Sequence, residues 1–205
     1  MSQSNIKNVV FDVGNVIVRW SPAEIVRLTF GDIEQPEKLA TRLFQDKVWL
    51  DLNKGLMTEE EAKAQYHQQH QLSVEECERL FYYVKQSLIL LYGSVDLIKR
   101  LKGAGYRIFA LTDNVVEIVE YLKSTYDFWV LFEGATVSAD LGLLKPQPEI
   151  YQALLSQHDI RASETVFIDD MPHNVKGAED AEISAIQFEN AAQCEAELRA
   201  LGLSF

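Results

Sequence analysis

The chain has 205 residues, of which 47% are hydrophobic and 24% charged, and this fits a folded protein of one large domain or one domain with an insertion. Its formal net charge of -12 argues against partners such as nucleic acid or anionic membranes, because both require clustered Lys and Arg side chains. No apolar run approaches the roughly 20 residues of a membrane span, and no secretory signal is recognisable. Cys77 and Cys194 match neither a disulfide framework nor a metal-ligand spacing. We therefore expect a cytoplasmic protein with free thiols, of unknown oligomeric state.

The amino-terminal part of the chain changes its pattern after one short strand. Residues 6–11 combine β-branched and aromatic side chains and end at a polar turn, so they predict a buried strand. From residue 22 to about 91 the apolar residues follow a helical period, with breaks near 31–36 and 53–58. Thr58 and Ser73 each begin a capping box and predict two helix starts.

After residue 93 strands and helices alternate. We predict strands at 106–111, 135–138, 165–168 and 184–188, and helices at 95–102, 115–124, 147–158 and 174–181. This order predicts an α/β fold, with a Rossmann-like parallel sheet covered by helices on both faces. We expect residues 1–18 and 92–205 to form this core domain, and residues 19–91 to form an inserted all-helical cap domain over the strand ends.

Polar residues stand where three of the predicted strands end. They are Asp12, Thr112, Asp113, Asp169 and Asp170. Ligands of open α/β sheets collect at the carboxyl ends of strands, so these side chains are candidates for a common site. Clustered carboxylates repel one another unless a divalent cation lies between them, and oxygen-only ligands indicate Mg²⁺. Lys145 and the Thr112 hydroxyl could then contact the oxygens of a phosphate.

Four motifs in chain order carry a resemblance to a known family. They are Phe11-Asp12-Val13-Gly14-Asn15-Val16, Leu111-Thr112-Asp113, Lys145-Pro146 and Phe167-Ile168-Asp169-Asp170. Together they resemble the motifs of the haloacid dehalogenase-like hydrolases, and the match covers the core rather than the cap. The resemblance implies that Asp12 attacks phosphorus to form an aspartyl-phosphate, while Thr112 and Lys145 hold the transferred phosphoryl group.

The same resemblance implies a magnesium site. It assigns Mg²⁺ to the Asp12 carboxylate, the backbone carbonyl of Gly14 and one acid of the fourth motif. Asp170 is the first choice for that acid and Asp169 the second, and Asn174 one helical turn later supports the ligands. An alternative for Asp169 and Asp170 is that they stabilise the dipole of the following helix.

Two positions depart from the pattern of the family. Most of its phosphatases have a second Asp where this chain has Gly14, and that Asp protonates the leaving oxygen and later activates water. His173 is a candidate substitute, because its unperturbed pKa lies near neutrality; a solvent-exposed histidine at a helix start is the alternative. Asp113 stands where Asn is more usual, so we expect it beside the phosphate site but turned toward the cap or toward a hydrogen-bond donor, without a catalytic role.

The string Asp-x-Gly-Asn-Val resembles a subgroup that includes bacterial α-D-glucose 1-phosphate phosphatase, and this implies a sugar phosphate as substrate. Trp20, Trp49, Asp51 and Lys54 are candidates to bind the part of the substrate beyond the phosphate, because a stacking face and hydrogen-bonding groups suit a sugar. Equally, the tryptophans could belong to the core and the polar pair to the surface.

The sequence thus predicts a Mg²⁺-dependent phosphatase, a hydrolase acting on a small phosphorylated metabolite. A catalytically impaired binding or regulatory protein with the same fold is one alternative, which Gly14 favours. A 2-haloacid dehalogenase is another, but such enzymes need no metal, so Lys145 and the acidic pair argue against it. A phosphomutase normally depends on the Asp that Gly14 replaces.

Overall fold

The computed structural model describes residues 5–205, and at its centre lies a five-stranded sheet. The strands are β1 (Asn8–Phe11), β2 (Arg107–Thr112), β3 (Gly134–Val137), β4 (Thr165–Asp169) and β5 (Ser184–Gln187). They lie in the order β3-β2-β1-β4-β5, and every neighbouring pair is parallel. In the register of the central strand, Val10 of β1 lies beside Phe109 and Phe167. The predicted α/β fold with a parallel sheet is confirmed.

Helices account for most of the remaining chain. Those within residues 5–205 are α1 (Pro22–Phe30), α2 (Pro36–Phe44), α3 (Lys47–Asn53), α4 (Glu59–His70), α5 (Val74–Gln86), α6 (Ser94–Gly103), α7 (Val116–Thr125), α8 (Ser138–Leu141), α9 (Pro148–Gln157), α10 (Pro172–Asp180) and α11 (Ala191–Ala200). Short 3₁₀ helices cover Asp127–Leu131 and Ala162–Glu164. In the part of the chain that the structure describes, no helix combines the length and apolar character that crossing a membrane requires.

Alternate residues of β1 point to two separate hydrophobic clusters. Val9 and Phe11 belong to a cluster that includes Leu97 of α6, whereas Val10 belongs to a second cluster with Leu154 of α9. All four residues of β1 are buried. A strand covered by helices on both faces has no solvent side, and this explains why residues 9–11 form a continuous apolar run rather than an alternating pattern.

The helical segment α1–α5 follows the capping and break signals of the sequence. The side chains of Thr58 and Ser73 accept hydrogen bonds from the backbone N–H groups three residues later, and both predicted capping boxes are present. Val18 forms bridges with Gly14 and Leu90, so the chain enters and leaves the helical segment at adjacent points. The division into a cap of residues 19–91 and a core stays a prediction.

The sequence pattern predicts neither helix α11 nor the separation of α2 from α3. Helix α11 buries Cys194 and Leu198, an apolar stripe too narrow to predict a helix from the sequence pattern, and Asn190 caps it by accepting the N–H of Gln193. Helices α2 and α3 are separate because Asp46 accepts the N–H of Val48 and starts a new helix. Both differences arise from local capping rather than from apolar periodicity.

Candidate active site

Three carboxylates meet at the carboxyl edge of the central strands. Asp12 follows β1, Asp169 ends β4, and Asp170 comes next. The backbone N–H of Asp12 donates to the Ile168 carbonyl at 2.9 Å, which extends the pairing of β1 and β4 past Phe11. One carboxylate oxygen from each of the three aspartates lies within 4.8 Å of the others. The structure therefore brings together the acids that the sequence predicted as a group.

Lys145 lies among these carboxylates. Its Nζ is 3.0 Å from Asp12 Oδ1 and 2.6 Å from Asp169 Oδ2, and the side chain is 2% exposed. Burial on its own would lower the pKa of Lys145, but the charges of Asp12, Asp169 and Asp113 raise it above its ordinary value, so the lysine stays charged. Burial raises the pKa of Asp12, and the attraction of Lys145 opposes that rise. One ammonium thus faces more negative groups than it can neutralise.

Asp113 positions the loop that carries Lys145. Its Oδ1 and Oδ2 accept the backbone N–H of Lys145 at 3.1 and 3.2 Å. Burial raises the pKa of Asp113, while Lys145 lowers it in part. The carboxylate is therefore turned toward a donor, as we expected from a residue that would otherwise repel a phosphate.

Asp169 and Asp170 differ in how their oxygens are occupied. Asp169 is fully buried and accepts hydrogen bonds from Lys145 Nζ, from the Met171 N–H at 2.8 Å, and from Asn174 Nδ2 at 3.1 Å to each oxygen. Asp170 lines a cavity, and its Oδ2 accepts one bond, from Asn15 Nδ2 at 3.1 Å. Asp170 thus retains more capacity for a further ligand.

Asn15 is a residue whose role the sequence analysis missed. Its backbone has φ of 52°, a left-handed conformation in which Asn is several-fold enriched. Besides donating to Asp170, its side chain accepts the backbone N–H of Trp20 at 2.8 Å. Asn15 therefore holds Asp170 and the loop after β1 in one arrangement. The sequence signal for this role is the Asn of the Asp-x-Gly-Asn string, which lies in a loop and not in a helix or strand.

Asn174 contributes a buried acceptor. Because its Nδ2 donates to both oxygens of Asp169, the orientation of the amide is fixed and Oδ1 points the other way. That oxygen is buried and has no hydrogen-bond partner among the described residues, and Asn174 lines the cavity. A buried acceptor without a partner is costly, and a cation or a water beside it would supply one.

A cavity of about 390 Å³ opens at this edge of the sheet. The predicted site residues that line it are Asp12, Gly14, Trp20, Trp49, Asp113, Lys145, Asp170, His173 and Asn174. Thr112 ends β2 at the same edge, but it is 1% exposed and lies behind the lining, as does Asp169. Lys54 follows α3 and is not brought into the lining.

The position of the expected second Asp has room for a side chain. A Cβ built on Gly14 would meet Trp20 Cβ at 3.8 Å, an ordinary contact, and no positive φ favours glycine there. Neither packing nor backbone conformation thus requires glycine at this position. His173, at the start of α10, lines the same cavity and is exposed.

The sequence matches known proteins over nearly its whole length. The family model of the haloacid dehalogenase-like hydrolases matches residues 6–182. A flavin mononucleotide hydrolase of Arabidopsis thaliana is 30% identical over 206 residues, which cover 96% of this chain and 78% of that protein. A sesquiterpene phosphatase of Aspergillus oryzae is 25% identical over 198 residues, 97% of each chain.

Solved structures share the fold. A haloacid dehalogenase family enzyme from Bacteroides thetaiotaomicron, in complex with magnesium and inorganic phosphate, superposes with a TM-score of 0.73 and 24% identity. The match covers 90% of this chain and 95% of that one. At this identity the likeness establishes the arrangement of the sheet and helices.

Proposed function

Because the chain belongs to the haloacid dehalogenase-like hydrolases, we propose that it is a phosphatase that hydrolyses a small phosphorylated metabolite through a phosphorylated Asp12. One observation carries the proposal. Asp12 lines a cavity, with its carboxylate 3.0 Å from the buried ammonium of Lys145 and close to two further carboxylates. A nucleophile, a cation for phosphate oxygens and a candidate metal site therefore share one cavity.

Mg²⁺ fits the residues that are present. The three aspartates offer oxygen ligands, the charge of Lys145 leaves them with excess negative charge, and the buried Oδ1 of Asn174 has no hydrogen-bond partner within residues 5–205. We propose that Asp12, the Gly14 carbonyl and Asp170 hold the ion. Asp170 is preferred to Asp169, whose oxygens already accept from Lys145 and Asn174. A bound Mg²⁺ would lessen the repulsion between Asp12 and a phosphate dianion.

The proposed reaction has two steps, phosphorylation of Asp12 and hydrolysis of the phosphorylated Asp12. An Asp12 oxygen attacks phosphorus and the bond to the leaving oxygen breaks, while Lys145 contacts the other phosphoryl oxygens. The phosphoryl contact that the sequence predicts for Thr112 requires the lining to shift, because this side chain is 1% exposed and lies behind it. Water next attacks phosphorus, and the carboxylate of Asp12 is released together with inorganic phosphate. Gly14 supplies no proton, so the leaving oxygen takes one from water or from His173, which lines the cavity.

The identity of the alcohol is a separate question. The sugar phosphate and the cytoplasmic location predicted from the sequence stay predictions. The two relatives named above act, by their names, on flavin mononucleotide and on a sesquiterpene. The two substrates have little in common beyond the phosphate. Membership of the family therefore supports phosphoryl transfer but does not identify the alcohol.

The proposal is tested by phosphate release from p-nitrophenyl phosphate and a panel of phosphomonoesters, with Mg²⁺ and with a chelator. We expect Mg²⁺-dependent turnover in the native chain and a loss of at least about 10³-fold in Asp12→Asn. Asp32→Asn, an exposed position outside the cavity, is the matched control and should behave as the native chain. Turnover that persists in Asp12→Asn would exclude the mechanism.

Two other results would point to the alternatives. Chloride release from a 2-haloacid without added metal would indicate a dehalogenase. Mg²⁺ binding without turnover of any ester would indicate a binding or regulatory protein.

A further inference from the structure

We infer that the phosphomonoester this site takes has an apolar leaving group, an aliphatic or aromatic alcohol rather than a polyol. The inference rests on the proposed function, since it names the substrate class of the same cavity. The observation behind the inference is the chemistry of the side chains that line the cavity away from the phosphate position proposed near Lys145.

The cavity is lined by two sets of residues that differ in chemistry. Its charged side chains, Asp12, Asp113, Lys145 and Asp170, all come from loops at the sheet edge. A second set, which we call the apolar wall, comes from α2, α3, α7 and the loops just before α1 and just after α5. The apolar wall consists of Trp20, Phe44, Trp49, Leu50, Leu88 and Ile118. A phosphate bound near Lys145 would leave its alcohol beside this wall.

The apolar wall has few groups that could bind hydroxyls. Among the described residues 19–91, the polar groups that line the cavity are the indole N–H groups of Trp20 and Trp49 and the side chain of Asn53. Its Nδ2 already donates to the carbonyl of Trp49 at 2.8 Å. Hydroxyl groups of a polyol that lie against the apolar wall would lose water without gaining enough partners there, which works against binding. The other neutral polar side chains of the lining, Asn15, Asn114, His173 and Asn174, lie on the side of the sheet edge.

Two apolar side chains of the lining are exposed in the free protein. Leu50 is 41% exposed and Met171, beside Asp170, is 42% exposed. Exposed apolar side chains in a cavity gain free energy when a ligand removes them from water, and this gain requires an apolar ligand surface. Leu50 and Met171 therefore favour the same class of alcohol as the apolar wall.

The aromatic residues do not form an open platform for a sugar. Trp20 and Trp49 stack on each other, with centroids 5.6 Å apart and planes at 14°, and Phe44 packs edge-on against both. Trp49 is 7% exposed. One face of each indole is thus covered by the other and cannot stack on a sugar ring. The inferred apolar alcohol therefore differs from the sugar that the sequence predicts.

The test is a homologous series of straight-chain alkyl phosphates, from ethyl to hexyl, assayed with Mg²⁺. These alcohols differ little in acidity, so the series varies buried apolar surface at constant leaving-group chemistry. We expect kcat/KM to rise about three- to fourfold for each methylene until the cavity is filled. Hexyl phosphate should exceed glucose 6-phosphate at least tenfold. A flat or falling series, or preference for the sugar phosphate, would overturn the inference while the proposed phosphatase function stands.

Variants connect the preference to the wall. Leu50→Asn should reduce the ratio of kcat/KM for hexyl over ethyl phosphate about tenfold. Leu28→Asn is the matched control, because Leu28 is also a helical leucine, is 42% exposed, and lies outside the lining; its ratio should stay at the native value. An equal effect of the two substitutions would contradict the inference.

Failure of the proposed function is recognised separately. If no ester is turned over, binding of hexylphosphonate and of ethylphosphonate is measured by calorimetry, which requires no catalysis. Tighter binding of hexylphosphonate, at least tenfold, supports the apolar site, and equal binding rejects it.

Discussion

Lys145 Nζ donates a 2.6 Å hydrogen bond to Asp169 Oδ2, and both side chains are almost completely removed from solvent. The carboxylate that ends β4 is thus engaged with a lysine, whereas its neighbour Asp170 lines the cavity. Two adjacent acids of the same motif therefore have different surroundings. We expect them to respond differently to substitution.

Asp169→Asn should destabilise the fold. The substitution replaces a carboxylate oxygen by an amide group that cannot accept, so the buried donors of Lys145 and Asn174 lose an acceptor, and we expect the free energy of unfolding to fall by about 3 kcal/mol. Denaturant unfolding without Mg²⁺ measures the effect. A change within about 0.5 kcal/mol would show that the pair contributes little.

Asp170→Asn should instead remove the response to Mg²⁺. Burial raises the pKa of Asp170 and the charge of Asp169 adds to the rise, although the hydrogen bond from Asn15 opposes it, so the ionised carboxylate is disfavoured without a cation. We expect the metal-free variant to melt at or above the native Tm, and the increase in Tm that Mg²⁺ gives the native chain to be lost. A full Mg²⁺ shift in this variant would assign the ion to other ligands.

Asn15 provides a pair of substitutions that separate backbone strain from side-chain contact. Gly and Ala both remove the hydrogen bonds to Asp170 and from the Trp20 N–H, but only Gly adopts φ of 52° without strain. Both variants should need about tenfold more Mg²⁺ for half-maximal activity. Asn15→Ala should in addition be about 1 kcal/mol less stable than Asn15→Gly. Equal stability of the two would remove the backbone argument.

The order of strands and helices could be predicted because β1, β2 and β4 each contain a run of three or four apolar residues, and because Thr58 and Ser73 begin capping boxes that the structure contains. Helix α11 was missed, since only Cys194 and Leu198 mark its buried face. In a parallel sheet the grouping of acids follows from where strands end, so this part of the site was predictable.

Other parts of the site depend on contacts that no sequence pattern specifies. The sequence does not specify that Asp169 rather than Asp170 accepts the hydrogen bond from Lys145 Nζ. It also does not specify that Asp113 accepts the backbone N–H of Lys145. Both depend on the path of the loop before α9. Likewise, the stacking of Trp20 on Trp49 depends on how α3 packs.

His158 predicts a pH dependence of stability away from the cavity. Its ring lies 4.8 Å from that of Phe109, and burial lowers its pKa below 6.5, with Arg107 contributing in the same direction. The unfolded chain therefore binds this proton more readily than the folded one. The stabilising contribution is present above pH 6.5 and is lost as the pH falls through the folded pKa. The difference in unfolding free energy between the native chain and His158→Gln should shrink over this interval. A difference that is constant with pH would contradict the assignment.

Gly14 allows a direct test of how the leaving oxygen obtains its proton. A side chain fits there, because the nearest atom to a built Cβ is Trp20 Cβ at 3.8 Å. Gly14→Asp should place a carboxylic acid in the cavity beside Asp12, and general acid catalysis matters most when the leaving alcohol is a weak acid. We expect kcat for hexyl phosphate to rise about tenfold, and kcat for p-nitrophenyl phosphate, whose leaving group needs little protonation, to change less than about twofold.

Gly14→Asn is the matched control, because the Asn side chain has the same size as the Asp side chain but is not an acid that can donate a proton at neutral pH. If the site lacks a proton donor, Gly14→Asn should give no increase in kcat for hexyl phosphate. The increase in Gly14→Asp should disappear at pH values where the new carboxyl group is ionised throughout the cycle. If Asn accelerates hexyl phosphate as much as Asp does, the gain comes from filling space beside Trp20. If neither variant exceeds the native rate while both melt normally, proton donation does not limit turnover, and water or His173 already supplies it.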